Sequence, residues 1–203
     1  TLGNNLTLSV VTGGSPTGAQ ISSKFDFLGN LSRTITTNDG AALEDLIIDG
    51  AVGNGASGLV TAGGGRLVLA GNNTFTGNLT IGAGETLVRH ANALGAVGAA
   101  SVTTVNAGFT LLMDNAAGDL TVAEILVLNG AGFGARGAVA VLGGNHTFTG
   151  NVTLATASTI GVAADTLRLA GQVSGANLNL TKLLPGTLVL GNGSADAGSN
   201  SQN

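Results

Sequence analysis

The chain has 203 residues, of which 35 are Gly, none is Cys and six are aromatic, all of them Phe. Gly exceeds twice its usual share of about 7%, whereas charged residues make up only 9% of a chain in which about 25% is typical. The lack of Cys excludes disulfide scaffolds and Cys-ligated zinc. A net charge of −4 with seven scattered Lys and Arg argues against nucleic-acid binding. Hydrophobic residues still account for 43%, enough for a core, and no apolar run reaches the ~18 residues of a membrane-spanning helix.

Short β-type runs alternate with Gly, Asn or Asp corners along residues 1–190, which we assign to one β-solenoid domain. The triple glycine Gly63–Gly65 predicts a tight corner that separates two of the strands. Residues 191–203 carry no apolar side chain larger than Ala and are predicted to be a flexible polar tail or linker. About sixteen strands are expected, at residues 5–11, 19–28, 31–37, 46–48, 59–60, 66–69, 78–81, 85–88, 101–105, 109–113, 120–122, 124–128, 158–162, 166–169, 177–181 and 187–190. Residues 139–154 contain a second copy of a strand-corner-strand unit.

One strand-corner-strand unit occurs twice in the chain. Residues 69–81 read LAGNNTFTGNLTI, and residues 142–154 read LGGNHTFTGNVTL, 73 positions further on. A unit written twice indicates a protein built from stacked repeats. The positions that we expect to carry the repeat are Leu67, Leu69, Asn73, Phe75, Gly77, Ile81, Leu142, Thr147, Phe148, Gly150 and Leu154.

Two architectures fit many short strands, an antiparallel sandwich or barrel and a β-solenoid. Dipeptides of the Asn-Gly or Asp-Gly type, the usual hairpin signals, occur at residues 39–40, 49–50, 54–55, 129–130 and 192–193, which are few for so many strands. The corners therefore favour bends without reversal, and the fold class that we predict is all-β, a single right-handed parallel β-helix. An offset of 73 equals three coils of about 24 residues, so about eight coils of roughly 20–25 residues are expected. Phe75 and Phe148 should then share one inward site, about 14 Å apart along the axis.

The segment from Gly65 to Gly95 resembles the autotransporter-associated β-strand repeat, of the form G-x-L-x-L-x-G-x-N-T-Y/F-T-G-x-T-x-I-x-x-G-T-L with a final A-L-G. The second copy resembles it less closely, because His146 stands where Asn is expected and the final Ala-Leu-Gly is missing. The resemblance implies a parallel β-helix from the passenger of a bacterial type V secreted protein. It also implies an extracellular or cell-surface location, after secretion through the outer membrane, whereas the repeat itself carries no chemistry.

No set of residues indicates an active site, a cofactor site or a metal site, and we expect no enzyme activity. Asp39, Glu44, Asp45 and Asp49 form the one acidic cluster, but the spacing of calcium loops is absent, so solvated corner charge is the preferred interpretation. His90 and His146 are the two histidines, and no G-x-S-x-G sequence accompanies them. His146 is expected to replace the corner residue Asn73.

The predicted function is therefore that of a structural or adhesive rod that contacts host or cell-surface glycans and proteins, or associates with itself end to end or laterally. We expect neither nucleic acid nor insertion of this segment into a membrane. Two alternatives remain open, a fibre subunit that polymerises head to tail through its solenoid ends, and a β-helical polysaccharide lyase or hydrolase.

Overall fold

The computed structural model describes residues 17–27, 32–53, 55–96 and 101–191, together with the backbone of residues 6–8. Within these ranges the chain is an all-β parallel solenoid of about seven turns, one fewer than predicted, and this confirms the predicted fold class. Its strand pairings are parallel throughout the described residues, which removes the antiparallel alternative. The right-handed sense of the helix stays a prediction. The proposed tail after residue 191 lies outside the described residues.

The strands in chain order have the following bounds: β1 Leu6–Leu8, β2 Ala19–Ile21, β3 Phe25–Asp26, β4 Arg33–Thr37, β5 Leu46–Ile48, β6 Val52–Gly53, β7 Leu59–Leu69, β8 Leu79–Val88, β9 Val102–Val105, β10 Thr110–Met113, β11 Thr121–Val122, β12 Ile125–Gly130, β13 Val139–Val141, β14 Asn145–Phe148, β15 Val152–Val162, β16 Thr166–Leu169, β17 Val173–Ser174, β18 Leu180–Leu183 and β19 Thr187–Leu190. A short 3-10 turn, Phe133–Ala135, precedes β13.

These strands stack into three sides of the solenoid. The first side contains β1, β4, the start of β7 and β8, β9, β12, the start of β15, and β17. The second contains β2, β5, the end of β7 and β8, β10, β13, the end of β15, and β18. The third contains β3 and β6, then β11, β14, β16 and β19. One coil cannot bury its inner face alone, so the stacking itself creates the core.

The core is a set of inward columns in which every second residue of a strand points to the axis. On the second side, for example, Leu46 pairs with Leu67 and Ile48 pairs with Leu69 in register, and all four side chains are buried. Phe75 and Phe148 are both fully buried. The coil that contains Phe75 is separated from the coil of Phe148 by three steps of the ladder.

The corner between the first and second sides differs from the prediction. We expected Gly63–Gly65 to end one strand and begin another, but β7 continues from Leu59 to Leu69 with a register shift between Gly63 and Arg66. Gly63 has φ +100, and a Cβ there would lie 2.0 Å from the carbonyl oxygen of Thr37 in the preceding coil. A glycine can bend the strand at this point without breaking the ladder, because it tolerates both the close approach and the left-handed backbone.

The outer face of the second side carries a second apolar cluster that the sequence pattern did not reveal. Val68, Leu87, Leu112 and Ala140 occupy one outward column in register, with Ile47 packed beside them. The four clustered side chains are at most 1% exposed. Two segments between strands reach this face from outside the coil: Glu44 of residues 38–45 binds Arg89, and Arg136 of residues 131–137 contacts Glu85.

Candidate functional surfaces

The corner that follows the second side contains the repeat residues Asn73 and His146. The Asn73 side chain is buried, its Oδ1 accepts the Val52 N–H at 2.8 Å, and its Nδ2 donates to the Ala93 carbonyl at 2.6 Å. In the second copy, buried His146 accepts the Leu120 N–H on Nδ1 at 3.1 Å. Both side chains therefore accept a hydrogen bond from a backbone N–H of the preceding coil, so His146 replaces Asn73 as the acceptor at this corner.

The same hydrogen bond fixes the tautomer of His146. Because Nδ1 accepts the Leu120 N–H, the ring proton is on Nε2, which donates to the Gly143 carbonyl 2.9 Å away. Both ring nitrogens are thus engaged with backbone groups. A histidine held in this way has no nitrogen left for proton transfer to a substrate.

Replacing His146 tests this assignment. We expect His146→Asn to change the free energy of unfolding by less than about 1 kcal/mol, because an amide oxygen can accept the Leu120 N–H as Asn73 accepts that of Val52. His146→Ala should lower it by about 1–3 kcal/mol, since it leaves a buried N–H unpaired. Urea denaturation followed by circular dichroism measures both values, and equal losses in the two variants would contradict the assignment.

One predicted repeat residue lies elsewhere than expected. Leu69 is fully buried, and its equivalent in the second copy is Val141, which is also buried on the inward column that passes through Val88 and Met113. Leu142 lies one position further and is 38% exposed. The second copy has one extra residue at this corner, which Gly144 accommodates with φ +94. Of the other repeat positions, Leu67, Ile81 and Leu154 are buried in the core, whereas Thr147, Gly77 and Gly150 are partly exposed.

The acidic cluster predicted from the sequence does not form one site. Asp45 is buried and accepts the N–H groups of Gly40 and Arg66, both at 2.8 Å. Asp49 accepts a hydrogen bond from Gln20 at 2.8 Å, and hydrogen bonds from Ser22 and Gln20 lower the pKa of its carboxyl. Among the described residues, no three acidic or histidine side chains are grouped so that they could hold a metal ion.

Two ion-pair groups border the external apolar cluster of the second side. One joins Glu85 to Arg66 and Arg136, and the other joins Arg89 to Glu44 and Asp114. Arg89 binds Glu44 through Nη1 at 3.0 Å and Asp114 through Nη2 at 2.6 Å. These hydrogen bonds raise the pKa of Arg89. Burial opposes the ionisation of Asp114, but the hydrogen bonds and charge of Arg89 prevail and lower the pKa of that carboxyl. The group ties residues from three coils together, so its first role is to hold the 38–45 segment against the solenoid.

Glu124 is a buried carboxyl on the inner side of the first-side corner. Ser101 and Thr103 donate to its Oε1 at 3.2 and 3.1 Å, but burial dominates and raises the pKa of Glu124. A raised pKa in the folded state means that the unfolded chain releases this proton first as the pH rises. The contribution of Glu124 to the free energy of unfolding is therefore fully present below its unfolded-state pKa of about 4.3. It is lost as the pH rises through the pKa of the folded state.

Glu124→Gln should remove this pH dependence. Glutamine keeps an oxygen that accepts from Ser101 and Thr103 but carries no charge, so we expect the variant to match the wild type near pH 4 and to be more stable at pH 8. Each unit by which folding raises the pKa corresponds to about 1.4 kcal/mol. Urea unfolding at the two pH values measures the difference. Asp114→Asn is the control of opposite sign, since it should destabilise the protein at pH 8, and a Glu124→Gln variant that is less stable than the wild type at pH 8 would refute the argument.

The outer face of the first side carries uncharged residues in register, which we call the first-side array. Its central column consists of seven paired outward residues, each partly or fully exposed: Thr34, Val60, Thr80, Thr104, Val127, Thr153 and Ser174. Neighbouring members stand about 4.8 Å apart along the axis, as in any β-ladder. Thr and Val are stiff at χ1, so the hydroxyl and methyl groups of this column are held in a regular row.

The architecture defines the chain as a segment of a parallel β-solenoid with corner ladders. It is 32% identical over 175 residues, 86% of this chain, to the protein named "Adhesin BmaC autotransporter" from Brucella suis biovar 1 (strain 1330). This relative confirms the resemblance to autotransporter passenger β-helices. The chain spans about 5% of the length of that adhesin. No family model and no solved structure matches the chain, and no helix of its described part is long and apolar enough to cross a membrane.

Proposed function

We propose that this chain is a non-enzymatic, adhesive segment of an extracellular bacterial rod, and that the first-side array is its contact surface. The observation that carries the proposal is the in-register column from Thr34 to Ser174. The solenoid fold and the relationship to an autotransporter adhesin support an extracellular adhesive role. The uncharged column fits neutral, hydroxyl-rich partners such as cell-surface glycans and uncharged faces of host proteins.

The physics of the array favours adhesion through many weak contacts. Each Thr hydroxyl both donates and accepts a hydrogen bond, and the rigid column presents these groups without further loss of side-chain entropy. Contacts repeated along one rod act as linked binding events, so the total affinity can exceed that of a single contact by orders of magnitude.

The test is binding of the purified chain to a glycan array and to immobilised host-surface proteins. We expect the triple variant Thr80→Lys, Thr104→Lys and Thr153→Lys to lose at least about tenfold in binding. The matched control places three lysines on the third side, at Thr147, Thr166 and Thr187. Equal losses in both triple variants, or no loss in the first, would contradict the proposal.

The non-enzymatic part of the proposal rests on the state of the acids. Glu44 and Asp114 both form ion pairs with Arg89, and the lowered pKa of Asp114 keeps that carboxyl ionised. An ionised carboxyl cannot serve as the proton-donating acid that glycoside hydrolysis requires. Release of soluble fragments from any polysaccharide that the chain binds would contradict this part and favour the lyase or hydrolase alternative.

The fibre-subunit hypothesis and the rod hypothesis differ in how the sedimenting mass depends on protein concentration. A rod segment should sediment as a 19.6 kDa species at every concentration, whereas head-to-tail polymerisation through open strand edges gives masses that rise with concentration.

A further inference from the structure

A recess of about 320 Å³ opens on the outer face of the second side, beside the loop 131–137. Residues 134–136, 140–142 and 183–184 line it. This recess lies on the continuation of the external apolar column, because Ala140 pairs with Gly161 and Gly161 pairs with Leu183. The column is buried up to Gly161, and its next member, Leu183, is 37% exposed at the recess.

Exposed large apolar side chains concentrate at this place. In the described part of the chain five such residues are more than one third exposed, namely Leu43, Phe133, Leu142, Leu183 and Leu184. Three of them line the recess, and Phe133 precedes the lining residue Gly134. Clustered apolar exposure of this kind marks a binding surface.

The backbone on both sides of the recess is strained. Ala135 has φ +56 and Leu184 has φ +70, and the other two described non-glycine residues with positive φ are Asp165 and Asn177. Asp and Asn tolerate this region, whereas Ala and Leu adopt it at about 1–2 kcal/mol each. The loop is held in place by buried Thr110, whose hydroxyl accepts the Phe133 N–H at 2.8 Å and donates to the Gly137 carbonyl at 2.7 Å. Strain that the surroundings enforce is characteristic of ligand sites.

Arg136 is the cation that lines the recess, in a chain whose net charge is −4. Arg136, whose side chain is 40% exposed, contacts Glu85 through Nη1 at 3.3 Å. The other oxygen of Glu85 is already bound by Nε of Arg66 at 2.9 Å, so two guanidinium groups share this one carboxylate. Lys182 pairs in register with the buried Ile160 and therefore lies on the inward column, on the opposite face of its strand from the recess.

From these observations we infer that the recess binds a fatty-acid carboxylate of medium chain length. Its alkyl chain lies along Leu142, Leu183 and Leu184, and its carboxylate meets the exposed edge of the Arg136 guanidinium. A planar guanidinium matches a carboxylate in two parallel hydrogen bonds. The volume lies at the lower end of the range of small-molecule sites, which fits a single acyl chain.

The experiment is a titration of the 15N-labelled 203-residue chain with decanoate, followed by amide shift changes. We expect saturable shifts confined to the recess residues, and binding of decanoate at least about tenfold tighter than that of uncharged decanol, because a charge-assisted pair is lost with the alcohol. The variant Arg136→Gln should weaken decanoate binding at least about tenfold and leave decanol binding within about twofold. Arg168→Gln, a basic residue of the third side, is the matched control and should bind as the wild type does.

Leu184→Asp places a carboxylate in the recess and should abolish decanoate binding. Its fold is checked by thermal unfolding, and if it does not fold, the variant Arg136→Gln decides the question. The proposal is overturned if decanol binds as tightly as decanoate, if Arg136→Gln keeps full affinity, or if the shifts lie outside the recess. It is also overturned if Leu184→Asp changes the sedimentation coefficient and not ligand binding, since the recess would then be a contact between two copies of the chain.

Discussion

Phe148→Ala is expected to lower the free energy of unfolding by about 3–5 kcal/mol, an effect that among single truncations in this chain only Phe75→Ala should match. Phe148 is fully buried and is one of the two largest buried side chains of the described core. It stands on an inward column between Val122 and Leu169. Neighbouring coils are held apart at the fixed spacing of the backbone ladder, so the cavity cannot close by collapse. For a chain of this length the thermal midpoint should fall by about 10 °C.

Phe133→Ala serves as the control, because Phe133 is 43% exposed and its truncation should cost about 1 kcal/mol or less. Phe75→Ala should behave as Phe148→Ala does. The two phenylalanines share the same bonding pattern, in which the Thr before each donates its N–H to the coil below and the next coil donates to the carbonyl of the Phe. A loss below about 1 kcal/mol for Phe148→Ala would mean that the inward columns are not the source of stability.

Gly150→Ala is the second substitution with a large expected effect, about 3 kcal/mol of destabilisation. A Cβ at Gly150 would lie 2.0 Å from the carbonyl oxygen of Glu124 and 2.9 Å from the backbone nitrogen of Ile125 in the adjacent coil. Both atoms are backbone, so no side-chain rotation relieves the overlap, and the two coils must separate. Thermal unfolding by circular dichroism measures the loss.

Gly143→Ala is the matched control. Its Cβ would find no atom closer than 3.6 Å, and its backbone is not in the left-handed region. It should therefore change stability by less than about 0.5 kcal/mol. Gly77, which would bring a Cβ within 2.2 Å of the carbonyl oxygen of Ser57, should match Gly150. If Gly150→Ala and Gly143→Ala lowered stability by similar amounts, the close approach of the coils would not be the reason for glycine at position 150.

These comparisons separate two kinds of position in the solenoid. The columns and corners, represented by Phe148 and Gly150, set the stability of the rod and offer no chemistry to a partner. The first-side array and the second-side recess lie on outer faces, where substitution should alter binding with little change in stability. The adhesive proposal and the fatty-acid proposal can therefore fail independently of each other and of the fold.

The sequence by itself determined the architecture, because a repeated unit with few hairpin turns can bury its apolar residues only by stacking. It also predicted the role of His146, since the alignment with Asn73 places it at a corner whose requirement is one acceptor for a backbone N–H. The pairing of Phe75 with Phe148 followed from the same alignment, and the burial of both agrees with it.

Tertiary structure alone decided what happens at the corners and on the outer faces. The displacement of Leu142 depends on one extra residue that Gly144 absorbs, and an ungapped alignment at an offset of 73 cannot show it. The recess depends on the loop 131–137, three residues of which line it, and the ion pairs beside the external apolar cluster come from that loop and from residues 38–45. Local sequence fixes which residues face inward, because that alternation has a period of two. Contacts between residues far apart in the chain, such as Arg89 with Glu44 and Arg136 with Glu85, arise only when the coils are stacked.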